Sequence, residues 1–313
     1  MKLLLTGASG FIGRNVLLRA PRGWDIVAVY NRTTDLPAFV ADHNLTRVTA
    51  AACDLLDANA VRDLGRRVGR ADAVLHLAAN GDPAASAGRA RWDLELNTVA
   101  AVNVLEQIAM DRMVYMSSGA VYDGLRGPVT PATPVNPLLP YAISKLASER
   151  YVAFFAERRR LLASYANVRF FGAYGPYEAP RKITTRWLRA IMDGQREFVI
   201  RGNGRNLIDF MYVDDAVDAL WRIVADASFS GTLDLTAGTP MTIDDVVAAM
   251  ARASGVEIAV RHEGDVPEYI EFRSVDPTMR DRFGFAPSIS FEDGILRLNA
   301  FLIADLGLRI AKP

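Results

Sequence analysis

Residues 6–13 read Thr6-Gly7-Ala8-Ser9-Gly10-Phe11-Ile12-Gly13, "TGASGFIG". They follow a short apolar run at 2–5 and open a periodic segment at 11–18. Glycines spaced three and three suit a strand-to-helix turn. One permits the tight bend, one the close approach of a pyrophosphate, and one close helix–sheet packing. The N–H groups at the helix start then face an anion. The plain alternative is a βα turn with incidental glycines. Because the motif leaves a strand and opens a helix, it reads as a dinucleotide turn.

Outward from that turn, strand-length apolar runs recur at 26–29, 48–51, 73–77, 113–116 and 167–171. Segments with helical spacing lie between them, such as 61–68 and 94–108. Short, nearly continuous apolar strands alternating with amphipathic helices predict a parallel sheet covered on both faces. From residue 183 the order loosens. A helix is expected at 184–192, a Gly-rich loop at 202–204, a helix at 213–225, a strand at 232–236 and a helix at 242–253. The expected fold class is α/β: a Rossmann-type doubly wound parallel sheet with a smaller C-terminal α/β substrate lobe. Residues 1–168 would form the dinucleotide-binding domain, with 209–236 returning to it. Residues 169–208 and 237–313 would form the substrate lobe.

Composition narrows the function classes. Half of the 313 residues are apolar, and 36 basic side chains balance 36 acidic ones. Zero net charge removes the electrostatic argument for nucleic acid or an anionic membrane as main partner. No apolar run has the length of a membrane span, and the start is too short in apolar residues for a signal peptide. The single cysteine, Cys53, excludes an internal disulfide and suits a reducing compartment. Histidines only at 43, 76 and 262 offer poor material for a metal site. The expectation is a cytoplasmic protein with a small-molecule substrate and no metal.

At the end of the second strand an acidic residue would hold the ribose 2′-hydroxyl of NAD; this chain has Tyr30-Asn31-Arg32 instead. Losing the acid removes repulsion of a 2′-phosphate, and Arg32 could pair with one, so NAD(P) leaning to NADP is expected. A solvated Arg32 is the bland reading. After the third strand, Asp54 could accept from the adenine amino group or cap the helix that starts near Asp57. Further on, Tyr141-Ala142-Ile143-Ser144-Lys145 places a phenol and an ammonium one helical turn apart. Upstream, Met116-Ser117-Ser118-Gly119-Ala120-Val121-Tyr122 puts hydroxyls at a strand's carboxyl end, where open α/β sheets bind ligands. A nearby ammonium plus a positive nicotinamide ring would lower the Tyr141 pKa toward neutrality.

Together the motifs resemble the extended short-chain dehydrogenases/reductases, also called the NAD-dependent epimerase/dehydratase family, and the UDP-glucose 4-epimerase-like members in particular. The likeness runs over nearly the whole chain: "TGASGFIG", "CDLLD", "LHLAA", "LNTVAAVNVLE", "MSSGAVY", "YAISK", "RFFGAYGP", "GNGRNLIDFMYVDDAVDA", "LDLTAGTPMTIDDVV", "EGDVPEY" and "FGFAPSISFEDGI". The resemblance implies Ser118, four residues before Tyr122, as the hydroxyl that binds the sugar oxygen. It implies Tyr141 as acid/base and Lys145 as its partner on the nicotinamide ribose. Gly7, Gly10, Phe11 and Ile12 would line the pyrophosphate. Asp54 and Leu55 would line the adenine, Leu77, Ala78 and Ala79 the cofactor's centre, and Phe170 the nicotinamide. Asn97 would lie near the cofactor or hold its own helix. His76 would be structural. A homodimer would form through the helices around 94–108 and 142–157.

The departures from the pattern are informative. Dehydratases of the family place an acidic pair after the serine or threonine, where this chain has Gly119 and Ala120. Sugar-nucleotide members carry a diphosphate-contacting asparagine where this chain has Gly172. They carry arginines at the positions of Ile208 and His262. Arg201, Arg205 or Arg261 would substitute as cations, or the substrate would lack a diphosphate. Tyr269 stands where the family touches nucleotide or sugar. The expected activity is C4 epimerisation of a nucleotide sugar. The rivals are an NADPH-dependent 4-keto-sugar-nucleotide reductase and a non-catalytic NADP-sensing interaction protein.

Overall fold

The computed structural model describes residues 1–265 and 270–306. Its centre is a seven-stranded sheet with every neighbouring pair parallel. In spatial order the strands are Gly231–Leu235, Ser164–Phe170, Met110–Ser118, Ala71–His76, Lys2–Thr6, Asp25–Tyr30 and Val48–Ala52. Chain order reverses between Lys2–Thr6 and Ala71–His76, so a crevice opens at the carboxyl ends of those two strands. This is a Rossmann-type α/β fold, as the strand–helix alternation predicts.

The central strands are apolar because both faces are covered. Leu3, Leu4 and Leu5 are fully buried, each contributing roughly 1.5–3 kcal/mol. One face packs Val61, Leu64 and Val68 of the Ala58–Val68 helix with Val104, Leu105, Val152 and Phe155 of two further helices. That helix starts at Asp57, whose carboxylate accepts from the N–H groups of Asn59 and Ala60. Asp54 is therefore not the cap. The 94–108 segment departs from one continuous helix. A π-helical turn, Glu95–Val99, interrupts it between Ala90–Leu94 and Ala100–Gln107. A helix at Leu36–Asp42 was hidden in the sequence by its brevity and by Pro37.

Contacts divide the chain into two compact units. The first comprises Met1–Asp123, Pro131–Phe170 and Val217–Leu235; the second comprises Gly124–Thr130, Phe171–Ala216 and the chain from Thr236 onward. Within the second unit, two-stranded sheets pair Glu197–Arg201 with Ala259–Glu263 and Arg126–Val129 with Glu271–Ser274. Its Ile243–Ser254 helix begins with a capping box of Thr242 and Asp245 and ends at Gly255 in the left-handed region. Among the described residues, no helix is long and apolar enough to cross a membrane.

Candidate active site

Gly7 sits at φ +69, and a Cβ there would lie 2.7 Å from the Ala78 nitrogen. The turn after the first strand therefore touches the backbone after the fourth. A Cβ on Gly13 would lie 2.4 Å from the Gly7 oxygen, which packs the helix start against the turn. At Gly10 the nearest atom is the Gly7 oxygen at 3.3 Å. Gly7 and Gly13 thus serve packing, while Gly10 keeps its face clear. Gly10 is also the N-cap of Phe11–Leu18, with no side-chain cap and no acidic residue in the first turn. The first-turn N–H groups, including those of Phe11 and Ile12, are left for an anion. The cradle fits a pyrophosphate.

Thr6 and His76 close the floor of the crevice. The Thr6 hydroxyl meets His76 Nδ1 at 3.0 Å and accepts from the Ala78 N–H at 3.2 Å. Burial, and then the charge of Lys145, hold the His76 pKa down to about 3. His76 is thus a neutral structural ring. Leu77, Ala78 and Ala79 follow it, half-buried, on the same strand end as the turn.

The Pro140–Glu157 helix starts where Leu139 is extended and Pro140 takes a first-turn position, as proline geometry favours. Ser86 accepts from the Tyr141 N–H at 3.1 Å, replacing a local cap. Tyr141 and Lys145 fall on one face of this helix. The Lys145 ammonium donates to the Met116 carbonyl at 2.8 Å and lies 5.8 Å from the Tyr141 ring centre. Ser118 Oγ accepts from the Ala120 N–H at 3.1 Å, and its hydroxyl is near enough to the Tyr141 phenol to act on its pKa. Ser118, Tyr141 and Lys145 therefore converge at the carboxyl edge of the sheet.

In the chain without a dinucleotide, burial governs the electrostatics of both groups. Burial raises the Tyr141 pKa, the Ser118 hydrogen bond lowers it, and the Asp93 charge raises it; the net shift is upward. Burial likewise pulls the Lys145 pKa down to about 8, against the raising effects of Asp93 and Glu149. In the protein alone desolvation wins, and Tyr141 is a phenol at neutral pH.

Two buried networks that the sequence reading missed hold these groups. Asp93, fully buried, accepts from Asn80 at 2.7 Å, Asn97 at 3.0 Å and Ser144 at 2.6 Å. Asn97 also donates to Ser144 at 2.8 Å and accepts from the Asn80 N–H at 2.7 Å. Both its N–H groups are thereby committed to the protein, which makes Asn97 a positioning residue for the Asn80 turn and the Tyr141 helix. The second network runs under Ser118. Glu149 accepts from Ser117 at 2.5 Å and from Arg169 Nε and Nη2 at 3.0 and 2.9 Å. Arg169 Nη1 donates to the Tyr122 hydroxyl at 2.9 Å, which donates to Asp234 at 2.9 Å. The turn at Gly119–Tyr122 is clamped at both ends. Glu149 stands one turn beyond Lys145 and Arg169 opens "RFFGAYGP", so spacing could have flagged both.

On the adenosine side, Asn31 and Arg32 are exposed after the second strand. Asp54 is exposed and accepts from the Leu56 N–H at 3.0 Å, while buried Leu55 receives Asn103 on its carbonyl at 2.8 Å. Phe170 lies in register with Ser118 on the neighbouring strand.

The substrate candidates of the second unit fall out differently. Gly172 has φ +142, and a Cβ there would lie 2.6 Å from the Phe210 ring. Phe210 fills the space that a side chain at 172 would need. Arg261 pairs with Glu197 at 3.0 Å and with Glu263. Strand alternation sends His262 the other way, to Asp244 at 2.9 Å. Arg205 is exposed, and Arg201 donates to the Asp265 carbonyl at 3.3 Å. Tyr269 lies outside the described residues.

The fold and the glycine turn define a Rossmann-type α/β protein. Residues 3–233 match the model of the NAD dependent epimerase/dehydratase family, and the chain belongs to that family. A dTDP-glucose 4,6-dehydratase of Mycolicibacterium smegmatis is 29% identical over 311 residues, covering 94% of this chain and 91% of that protein. A UDP-glucose 4-epimerase of the same organism is 26% identical over 319 residues, covering 96% and 98%. Among solved structures, MoeE5 in complex with UDP-glucose and NAD superposes with a TM-score of 0.83 at 27% identity, covering 98% of this chain and 100% of that one. The UDP-glucose 4-epimerase of Thermotoga maritima with UDP-glucose shares the fold, with a TM-score of 0.85 at 21% identity and coverage of 98% and 100%.

Proposed function

We propose that this protein is an enzyme that epimerises a nucleotide sugar at C4. The observation that carries the reading is the convergence of Ser118 and Lys145 on the Tyr141 phenol, with Lys145 one turn along the same helix and anchored on the strand that bears Ser118. A nicotinamide dinucleotide, when bound, supplies the hydride acceptor and donor and, in its oxidised form, a positive charge. Gly7, Gly10, Phe11 and Ile12 would hold its pyrophosphate, Asp54 and Leu55 its adenine, Leu77–Ala79 its centre, Lys145 its ribose and Phe170 its nicotinamide. Ser118 orients the C4 oxygen of the sugar. Tyr141 accepts the C4 hydroxyl proton as the C4 hydride leaves. It returns that proton when the hydride comes back on the other face of the ketone. Proton and hydride both balance to zero over a turnover, so no external reductant is consumed.

Dehydration needs an acid–base pair beside Ser118, and the residues that follow are Gly119 and Ala120. This argues against water elimination here, although dehydratases are among the relatives. In the second unit Phe210 excludes a side chain at 172 and Arg261 is engaged by carboxylates, so Arg201 and Arg205 remain the candidate cations for a diphosphate. A 4-keto-sugar reductase using NADPH is the second reading. Exposed Arg32 favours it, whereas the structures that name a cofactor name NAD. A non-catalytic NADP-sensing protein would have no need of the Ser118–Tyr141–Lys145 geometry. A homodimer through the helices at 94–108 and 142–157 is supported by Leu94, Val99, Ile143, Tyr151 and Phe154, each more than a third exposed.

Identifying the bound dinucleotide by mass and following turnover with no added NADPH tests the reading. An epimerase turns over on retained cofactor. One-for-one NADPH oxidation would establish the reductase, and unchanged turnover in Tyr141→Phe would remove Tyr141 from the chemistry.

A further inference from the structure

Asp93 and Lys145 are buried charges of opposite sign beside Tyr141, and neither is hydrogen-bonded to an opposite charge. Asp93 is 0% exposed and Lys145 2% exposed. The Asp93 carboxylate is met by two amides and a hydroxyl, from Asn80 at 2.7 Å, Asn97 at 3.0 Å and Ser144 at 2.6 Å. The Lys145 ammonium is met by the Met116 carbonyl. The other titratable groups around them are matched or uncharged. Glu149 is paired with Arg169, one guanidinium serving both carboxylate oxygens. His76 is neutral, and burial keeps the Tyr115 phenol protonated. On the helix that bears Asp93, Arg91 pairs with Glu95 near the surface.

The hydrogen bonds around residue 93 do not require a carboxylate. Ser144 Oγ also lies 2.9 Å from the Tyr141 carbonyl. An asparagine at position 93 would accept from Asn80 and Asn97 through its oxygen and donate to Ser144 through its nitrogen. The Ser144 proton would then turn to the Tyr141 carbonyl, leaving one amide hydrogen unpaired. What the aspartate adds to this network is negative charge. In an interior without water, such a charge is felt well beyond hydrogen-bond distance. The Asp93 charge raises the pKa of both Tyr141 and Lys145.

We propose that Asp93 is a positioning residue that acts by charge, balancing the Lys145 ammonium through space and opposing a phenolate at Tyr141. It thereby sets the pH range over which the phenol gives and takes a proton. Both groups lose their protons at higher pH with the Asp93 charge present than without it. This inference rests on the proton-transfer reading of Tyr141.

The test titrates tyrosinate by ultraviolet difference spectroscopy in the full chain saturated with NAD⁺. Wild type, Asp93→Asn and Ser144→Ala are each measured against the same chain carrying Tyr141→Phe. In Asp93→Asn, Tyr141 is expected to ionise at lower pH, by on the order of half a pH unit. Ser144→Ala removes a hydrogen bond and keeps the charge, so its shift is expected to be clearly smaller. With a sugar that turns over, both limbs of the Asp93→Asn pH–rate profile should move to lower pH together. No shift in Asp93→Asn, or an equal shift in Ser144→Ala, would overturn the inference while leaving the epimerase reading standing. Failure of Asp93→Asn to fold would also overturn it, because the network would then need the carboxylate itself. The tyrosinate shift in a protein that turns over no sugar would uphold the inference and remove the epimerase reading.

Discussion

The Lys145 ammonium is tied to the Met116 carbonyl at 2.8 Å, two residues before Ser118 on the same strand. That bond locks the helix bearing Tyr141 to the strand bearing Ser118, so the proposed catalytic groups move as one body. It also means that Lys145 reaches its position by giving up water, and the Tyr141 and Lys145 pKa shifts follow from that burial.

Tyr141→Phe removes the proposed acid/base and little else. Turnover is expected to fall about 10²–10⁴-fold, with dinucleotide affinity within about twofold of wild type. Kinetics and calorimetry on one preparation check both halves.

Lys145→Met is expected to separate stability from activity. The folded-state pKa of Lys145, about 8, lies below its ordinary 10.5. The folded state therefore binds this proton less readily than the unfolded chain. The cost of the buried ammonium is fully present below pH 8, shrinks between pH 8 and 10.5, and is absent above. At about 1.4 kcal/mol per pKa unit it is on the order of 3 kcal/mol. The substitution removes that cost but leaves the Met116 carbonyl unpaired, which returns about 1–3 kcal/mol. Urea unfolding near pH 7 is expected to show a variant as stable as wild type or up to ~2 kcal/mol more stable, yet inactive. Any advantage should shrink toward pH 10.

Glu149→Ala strands the buried Arg169 guanidinium, whose side chain is 4% exposed. A loss of roughly 3–5 kcal/mol is expected, because an unpaired buried charge costs more than the pair is worth. The double variant Glu149→Leu with Arg169→Met should recover most of it. If Glu149→Ala and the double variant unfold alike, the charge argument fails.

Gly172→Ala meets two obstacles, φ +142 and the Phe210 ring. A destabilisation of about 1–3 kcal/mol is expected. Phe210→Ala in the same chain should relieve the steric part and leave the backbone part, which a double-mutant cycle separates.

The sheet was legible because its central strands are buried on both faces and stand out as apolar runs; residues 2–5 and 113–116 needed only their composition. The glycine turn was legible because backbone geometry restricts the residue type, as Gly7 shows. What sequence could not supply was competition. Spacing put Lys145 beside Tyr141, but only burial decided that the phenol's pKa rises. The π-helical turn at Glu95–Val99 keeps an ordinary helical pattern while shifting which side chains meet Ser144 and Ser148. Asp93 and Glu149 look like surface charges in the sequence, because their partners are distant in the chain. Arg261 and His262 are adjacent, and only their place in the Ala259–Glu263 strand showed that they point opposite ways.

The most direct measurement is proton NMR of the purified protein with a panel of UDP- and dTDP-hexoses, with no added NADPH. One sugar is predicted to interconvert with its C4 epimer while total NAD(P)H stays constant, and Tyr141→Phe should abolish that exchange. Failure of every sugar to exchange, or product formed only with one-for-one NADPH oxidation, would contradict the account.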